Sequence, residues 1–296
     1  MVKNILIAIG LPLLAFGIGI SFMGFKRKIA ARIQRRYGPP FHQPLLDIIK
    51  LLSKKSDISH GIIYDLGPMI ALGASILTIF FIPIPGLKLL TGSADVIALL
   101  YIMVIGSLGM ALGAGESANP NSSIGIARAL TLMFGYDLPF VIVIISVLLK
   151  YHTTNLYAIT QAQAGGHWAM WVLPLSAIVG FIVIYGAMGE HPFDVVTAPH
   201  EVATGPMAEY GGKHLGLLFI DHAFHLYIEL ALFVDLFMGG ASNIGWFYVK
   251  MFVLFLIIVF FDEVLPRFRI DDAVRFYWRW PTIIALTSLI IVLIGG

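Results

Sequence analysis

GEHPFDVVTAPHEVATGPMAEYGGK, residues 189–213, lies between two long apolar segments and has no apolar run of its own. Its prolines (Pro192, Pro199, Pro206), its glycines and its charges make it too polar to cross a bilayer. A connection of this length without hydrophobic patterning is more often functional than ornamental. Its carboxylates, Glu190, Asp194, Glu201 and Glu209, are expected close to one membrane face, with His191, His200 and the neighbouring His214. The rest of the chain reads as scaffold that holds this loop there.

The composition supports that reading. Of 296 residues, 58% are hydrophobic and 12% charged, and the mean hydropathy is +0.89. A soluble domain is nearer 45–50% apolar and roughly 25% charged. Apolar runs of about 20 residues indicate membrane spans. In hydrocarbon the backbone must satisfy its own polar groups, which leaves helices or a closed barrel, and runs without alternation exclude the barrel. The expected fold class is therefore all-α: a polytopic membrane protein of about eight transmembrane helices with an amphipathic interfacial helix. There are no cysteines. Disulfides, thiolate-held zinc and the usual iron–sulfur ligands are thereby removed, so any electron carrier must be bound by another chain.

Read as one membrane domain, 1–296, the chain offers spans at about 2–25, 62–82, 94–116, 126–150, 167–188, 214–240, 243–262 and 280–296. The first is expected as a retained helix, because it is long enough to span and no small-residue cleavage site follows it. Loop 26–61 carries Lys26, Arg27, Lys28, Arg32, Arg35, Arg36, Lys50, Lys54 and Lys55. The positive-inside rule places it in the cytoplasm with loops 117–125, 189–213 and 263–279, and puts both termini on the outer side. Within it, Phe41, Leu45, Ile48, Ile49 and Leu52 recur at helical spacing opposite Asp47 and the lysines, which marks a helix lying in the interface, started by Pro39 and Pro40.

Ionisable groups inside spans are costly and normally face other helices or water. Asp137 lies in the fourth span, within FGYDLPF. The sixth carries Asp221, His222, His225, Glu229 and Asp235, of which 222, 225 and 229 share a helical face. Carboxylates and histidines so placed suit a proton or ion relay, with buried structural pairs that fix helix register, for example Lys250 with a carboxylate, as the competing reading. Asp235 and Lys250, in the seventh span, are read as structural. A metal at His222 and His225 is disfavoured, since no accompanying motif supports one.

Four ordered stretches carry a resemblance: RIQRRYGPP with PLLDIIKLLSKK (32–55), SSIGIARALTLMFGYDLP (122–139), PFD with Glu201, Gly205 and Glu209-Tyr210 (192–210), and LPRFRIDD on to Pro281 (265–281). The chain resembles the heel, chamber-forming membrane subunit of respiratory complex I and of energy-converting membrane-bound hydrogenases. The resemblance implies a non-catalytic subunit that joins a peripheral redox arm to ion-pumping membrane subunits. By position, Arg32, Gln34, Arg36, Gly38, Pro39, Phe193, Asp194, Tyr210, Arg267, Arg269 and Asp271 would line the junction. Asp137, Glu201, Glu209, Asp221, His222, His225 and Glu229 would form the relay. It also implies a prokaryotic plasma membrane and partners of several kinds: a nickel–iron hydrogenase-like large subunit, an iron–sulfur small subunit, antiporter-like subunits, ferredoxin through the complex, and lipid. Iron–sulfur clusters, and nickel–iron, are expected in those partners and no cofactor in this chain; nucleic acid is not expected.

The departures from the family point one way. Gly189 and Glu190 stand where Asn-Arg is common, Ala187 where a Glu is usual, and Thr197 and Pro199 where an acidic pair is usual, while Asp221-His222 replaces Glu-Tyr. They favour a ferredoxin-dependent hydrogenase or sulfur-reducing complex over a quinone chamber of complex I type. A stand-alone ion or solute transporter is the remaining alternative.

Overall fold

The computed structural model describes residues 2–56, 60–87, 90 and 94–295. Residues 57–59 of loop 26–61, 88–89 and 91–93 of the connection near 83–93, and 296 of the last expected span lie outside the described residues. In chain order the helices are α1 (Val2–Ile33), α2 (Gln43–Ser53), α3 (Ile62–Phe81), α4 (Val96–Gly115), α5 (Pro120–Tyr151) and α6 (Leu156–Ala162). They are followed by α7 (Ala169–Val172), α8 (Pro174–Ala187), α9 (Pro199–Val202), α10 (Gly212–Phe237), α11 (Ile244–Val264) and α12 (Ile270–Gly295). No strand occurs among the described residues, only isolated bridges at Ile84–Leu87 and Asp95–Asn155.

Seven of these helices, α1, α3, α4, α5, α10, α11 and α12, are long and apolar enough to cross a membrane. The span expected at 167–188 is interrupted. Leu173 (φ −126°, ψ 62°) separates α7 from α8, and Pro174 opens α8. A residue before proline is disfavoured in the helical region, so the chain breaks there. The 14 residues of α8 extend about 21 Å, short of a hydrocarbon core of about 30 Å. Other helices run further than expected. α1 continues to Ile33, so Lys26, Arg27, Lys28 and Arg32 lie on a helix rather than in a loop; long basic side chains are good helix formers whose stems lie along apolar surface. α12 begins at Ile270, ten residues before 280, with Asp271 and Asp272 in its first turn, where acids complement the helix dipole. α5 begins at Pro120 behind Asn119, whose side chain accepts from the Asn121 amide at 2.9 Å.

The core is built around α10, the most buried of the long helices, which packs against α1, α2, α3, α8 and α11. α5 lies against α12 and α8, and α3 against α4. The α3–α4 pair touches through glycine. A Cβ on Gly67 would come within 2.6 Å of the Gly113 Cα, so the two backbones meet where only hydrogen fits. The amphipathic helix is α2. It buries Pro44 and Ile48 and leaves Leu45, Leu46, Ile49 and Leu52 exposed. Pro44 takes its first turn, so the start lies a few residues beyond Pro39 and Pro40.

Two ends of the bundle differ. One gathers the central loop, the C-terminal part of α1, α2 and the α11–α12 turn through contacts such as Lys26–Asp262 and Arg27–Asp47. The other gathers residues 83–86, α6, α7 and the α10–α11 turn.

Candidate functional site

Each carboxylate of the central loop meets a cationic or imidazole group from another part of the chain. Glu190 pairs with Lys26 of α1, Asp194 with Arg267 at 2.6 Å, Glu201 with Arg128 of α5 at 2.5 Å, and Glu209 with His60 at 2.5 Å. Four separate elements thus pin one loop. Lys26 also lies 3.3 Å from Asp262 at the end of α11, and Asp262 accepts from the backbone and ring of His191 at 2.9 and 2.8 Å. On its other side the His191 ring is 3.7 Å from Asp194, and Thr197 donates to that same carboxylate. Lys26, Glu190, Asp262, His191, Asp194 and Arg267 therefore form one charged chain across the loop's root. Burial pushes the Glu190 carboxyl above its ordinary value, and Asp262 adds to this, against the attraction of Lys26. The exposed Glu201 is instead held below its ordinary value by the Arg128 hydrogen bond.

The remaining expected junction residues divide by burial. Arg32, Gln34 and Arg36 are exposed after the basic end of α1, with Gln34 donating to Glu263 at 2.7 Å. Gly38 has φ +46°, a left-handed turn closed against Ala31, and Pro39 follows half-buried. Arg269 and Asp271 are exposed at the start of α12. Phe193 is buried among Tyr185, Phe268, Phe276 and Tyr277, with ring centres 4.7 Å apart in the last pair. It anchors the loop in the core. Tyr210 is likewise buried, stacked 4.4 Å over Tyr64, and its hydroxyl donates to the Tyr64 carbonyl at 3.0 Å. Burial raises that phenol's pKa.

Beneath the loop lies a cavity of about 230 Å³ lined by Ser107, Thr197, Asp221, His222 and His225. A second, of about 430 Å³ between α4, α5, α8 and α10, is lined by Tyr136, Asp137, His225 and Glu229 in otherwise apolar walls. The two share Ser107, Ala187 and His225. The shared face of 222, 225 and 229 thus opens onto adjoining spaces, and Asp137 reaches the second from α5. At the neck, the His225 ring is 3.7 Å from Asp221, which also accepts from Ser75 at 2.6 Å. Glu201 and Glu209 sit above, beside Arg128 and His60, and line neither cavity. Among the described residues no cluster of three or more His, Cys, Asp or Glu could hold a metal.

Sequence reading passed over Lys26, His191, Asp262 and Arg128 as site residues. Asp262 had a local signal, an acid closing an apolar span in FFDEVLP, but its partners lie far away in sequence. A further pair, Arg27–Asp47 at 2.8 Å, ties α2 to α1 and holds the Asp47 carboxyl below its usual range, mainly through that hydrogen bond.

The chain matches the family model described as NADH dehydrogenase over residues 5–293. It is 31% identical to a subunit of the NADH-quinone oxidoreductase of Protochlamydia amoebophila (strain UWE25), over 92% of this chain and 91% of that protein. It is 29% identical to a subunit of the F(420)H(2) dehydrogenase of Methanosarcina mazei, over 88% and 84%. A solved chain from a membrane-bound sulfane sulfur reductase, an archaeal respiratory membrane complex, superposes with a TM-score of 0.94 at 40% identity, covering 98% of this chain and 99% of that one. With its helical membrane architecture and matched length, the chain belongs to the NADH dehydrogenase family and is a complex I-like heel subunit, a membrane subunit of a redox complex.

Proposed function

We propose that this subunit couples electron transfer in docked redox partners to ion movement through the membrane, with the central loop as the sensor. The observation that carries the reading is the pair of adjoining cavities, which lead from beneath the loop, past Asp221, His222 and His225, to Glu229 and Asp137. A change of charge in a partner above the loop alters the potential at the Lys26–Glu190–Asp262–His191–Asp194–Arg267 chain. Rearrangement there reaches Thr197, which both donates to Asp194 and lines the upper cavity. The relay's carboxylates then exchange protons or sodium in a setting where burial makes charge costly.

The likeness at 40% identity to a sulfane sulfur reductase chain supports the ferredoxin-linked, sulfur-reducing branch, with a hydrogenase-type complex as its close variant. In this reading the junction formed by Arg32, Gln34, Arg36, Gly38, Pro39, Arg267, Arg269 and Asp271 receives the large and small redox subunits. Their iron–sulfur and nickel–iron centres stay outside this cysteine-free chain, and antiporter-like subunits pack along the bundle. The basic residues of 26–55 support a loop end in the cytoplasm of a prokaryotic cell, with both termini outside.

The test uses the intact complex in sealed vesicles. Asp137→Asn or Glu229→Gln is expected to lower ions moved per electron several-fold; an unchanged ratio at normal redox turnover removes those residues from the route. Comparing turnover with ferredoxin and a sulfur compound against turnover with soluble quinone separates the sulfur branch from a quinone chamber.

A further inference from the structure

The last buried acid of α10 is not part of the loop-end system. Asp235 is fully buried, and neither carboxylate oxygen has a hydrogen-bond partner among the described residues. A buried carboxylate left unpaired is costly, so such a group carries a proton or meets solvent. Asp235 lines a cavity of about 400 Å³ at the end of the bundle away from the loop, whose walls mix apolar residues with Thr160, Gln163, Trp168 and Lys250. At about 30 Å³ per molecule this space accepts several waters.

Lys250, read from sequence as a candidate for a direct ion pair, does not make one with Asp235. Its ammonium donates to the carbonyls of Met238 and Gly240 at 2.7 and 2.6 Å and lies 4.5 Å from the Trp168 ring centre. It is thereby fixed as a nearby positive charge that makes no direct bond to the buried carboxylate. Other titratable groups facing this region are Tyr157 of α6, on the cavity wall, and Tyr227 of α10 itself. The backbone around the site is held independently: Gln163 donates to the Leu236 carbonyl at 2.9 Å and accepts from the Ala169 amide at 2.9 Å.

We propose that this cavity is a water-filled vestibule open to the side of the membrane opposite the central loop, with Asp235 as its proton-binding group and Lys250 as a fixed counter-charge. Between Glu229 and Asp235, residues Leu230, Ala231, Leu232, Phe233 and Val234 are all buried, a dry plug about 9 Å long at 1.5 Å per residue. One helix therefore serves two compartments, the largely apolar one at Glu229 and the vestibule at Asp235, that this plug keeps apart, the arrangement expected where ions must cross without leaking. This rests on the coupling reading above for its role, but not for its existence.

The absence of cysteine in this chain gives a direct test. In the whole complex, in sealed vesicles, single cysteines are introduced and this chain is probed with a small membrane-impermeant cationic thiol reagent. Thr160→Cys is expected to react from the far side only and Leu232→Cys from neither; Ser242→Cys, on the exposed rim, is the positive control. Failure of Thr160→Cys to react while Ser242→Cys does overturns the vestibule. Asp235→Asn is expected to lower ions moved per electron several-fold and Asp235→Glu to restore it. A wild-type ratio for Asp235→Asn beside a lowered one for Glu229→Gln overturns the far-side site and leaves the coupling reading intact. Wild-type ratios for both overturn both. If Asp235→Asn does not assemble, the labelling of Thr160→Cys decides.

Discussion

The two ends of the bundle are held together by different physics. At the loop end, ion pairs between distant elements do the holding, Lys26–Glu190, Arg267–Asp194 and Arg128–Glu201, with the His60 ring beside Glu209. At the far end, backbone hydrogen bonds and caps do it. Val96 donates to the Thr154 carbonyl at 3.0 Å and Leu156 to the Ala94 carbonyl at 2.8 Å, while Asp95, Asn155 and Asn243 cap α4, α6 and α11. Main-chain bonds and local caps respond little to charge placed nearby, whereas ion pairs between distant elements re-form, tighten or release when an external charge changes. The contrast is the one the proposed coupling needs, a responsive end and a fixed frame.

Removing a cation should expose that difference most strongly. Lys26→Met strands Glu190 and Asp262 without their shared cation and is expected to cost about 3–5 kcal/mol, measured as loss of unfolding free energy of the detergent-solubilised complex. Lys250→Met loses two carbonyl hydrogen bonds but breaks no contact with Asp235, and should cost about 1–3 kcal/mol. Equal costs would break the comparison. Adding Glu190→Gln to Lys26→Met should recover most of the first loss.

Gln163→Ala is expected to cost about 1–3 kcal/mol, since it removes a buried bridge between Ala169 and Leu236. That loss should be the same at low and high salt. Salt instead should speed amide exchange across 200–203 and leave 156–163 unchanged, because only the first segment is tied by an exposed, screened pair, Glu201–Arg128. Equal salt response in both segments would erase the distinction.

The smallest expected effect is one of pH. Glu201 has a folded pKa below its ordinary 4.5, so its stabilisation is fully present above 4.5 and fades as pH falls through the lower folded value. Protection factors across 199–207, taken against the intrinsic exchange rate at each pH, should therefore fall in acid, and Glu201→Gln should abolish that fall. The buried Glu190 has the opposite sign: its pKa is raised, so its charged form becomes a growing cost as pH climbs from 4.5 through the folded value.

What could be read without coordinates follows from locality. The apolar runs of α1, α3, α4, α10 and α11 and the amphipathic pattern of α2 are local signals, and the helices stand where those signals are. The shared face of 222, 225 and 229 is local too, being fixed by helical geometry alone. The break at Leu173–Pro174 was also in principle legible, but hydropathy averages over a single proline and so merged α7 with α8. The partners of the loop carboxylates were not legible. Lys26 and Glu190 are 164 residues apart, and nothing local to either selects the other. The reading of Lys250 as half of an ion pair failed for a related reason, because sequence names side chains and the ammonium found main-chain carbonyls instead.

α1 has one further consequence. Its 32 residues extend about 48 Å, well beyond a hydrocarbon core of about 30 Å, so the helix stands proud of the lipid as a stiff post. Arg32 rides near its tip, and Lys26 lies less than two turns below, clasping Glu190. A protein that leans on the tip moves Lys26 through unbroken helical backbone, without any slack loop to absorb the motion. Leverage on that post thus gives a mechanical entry to the same acids that a change of potential would reach.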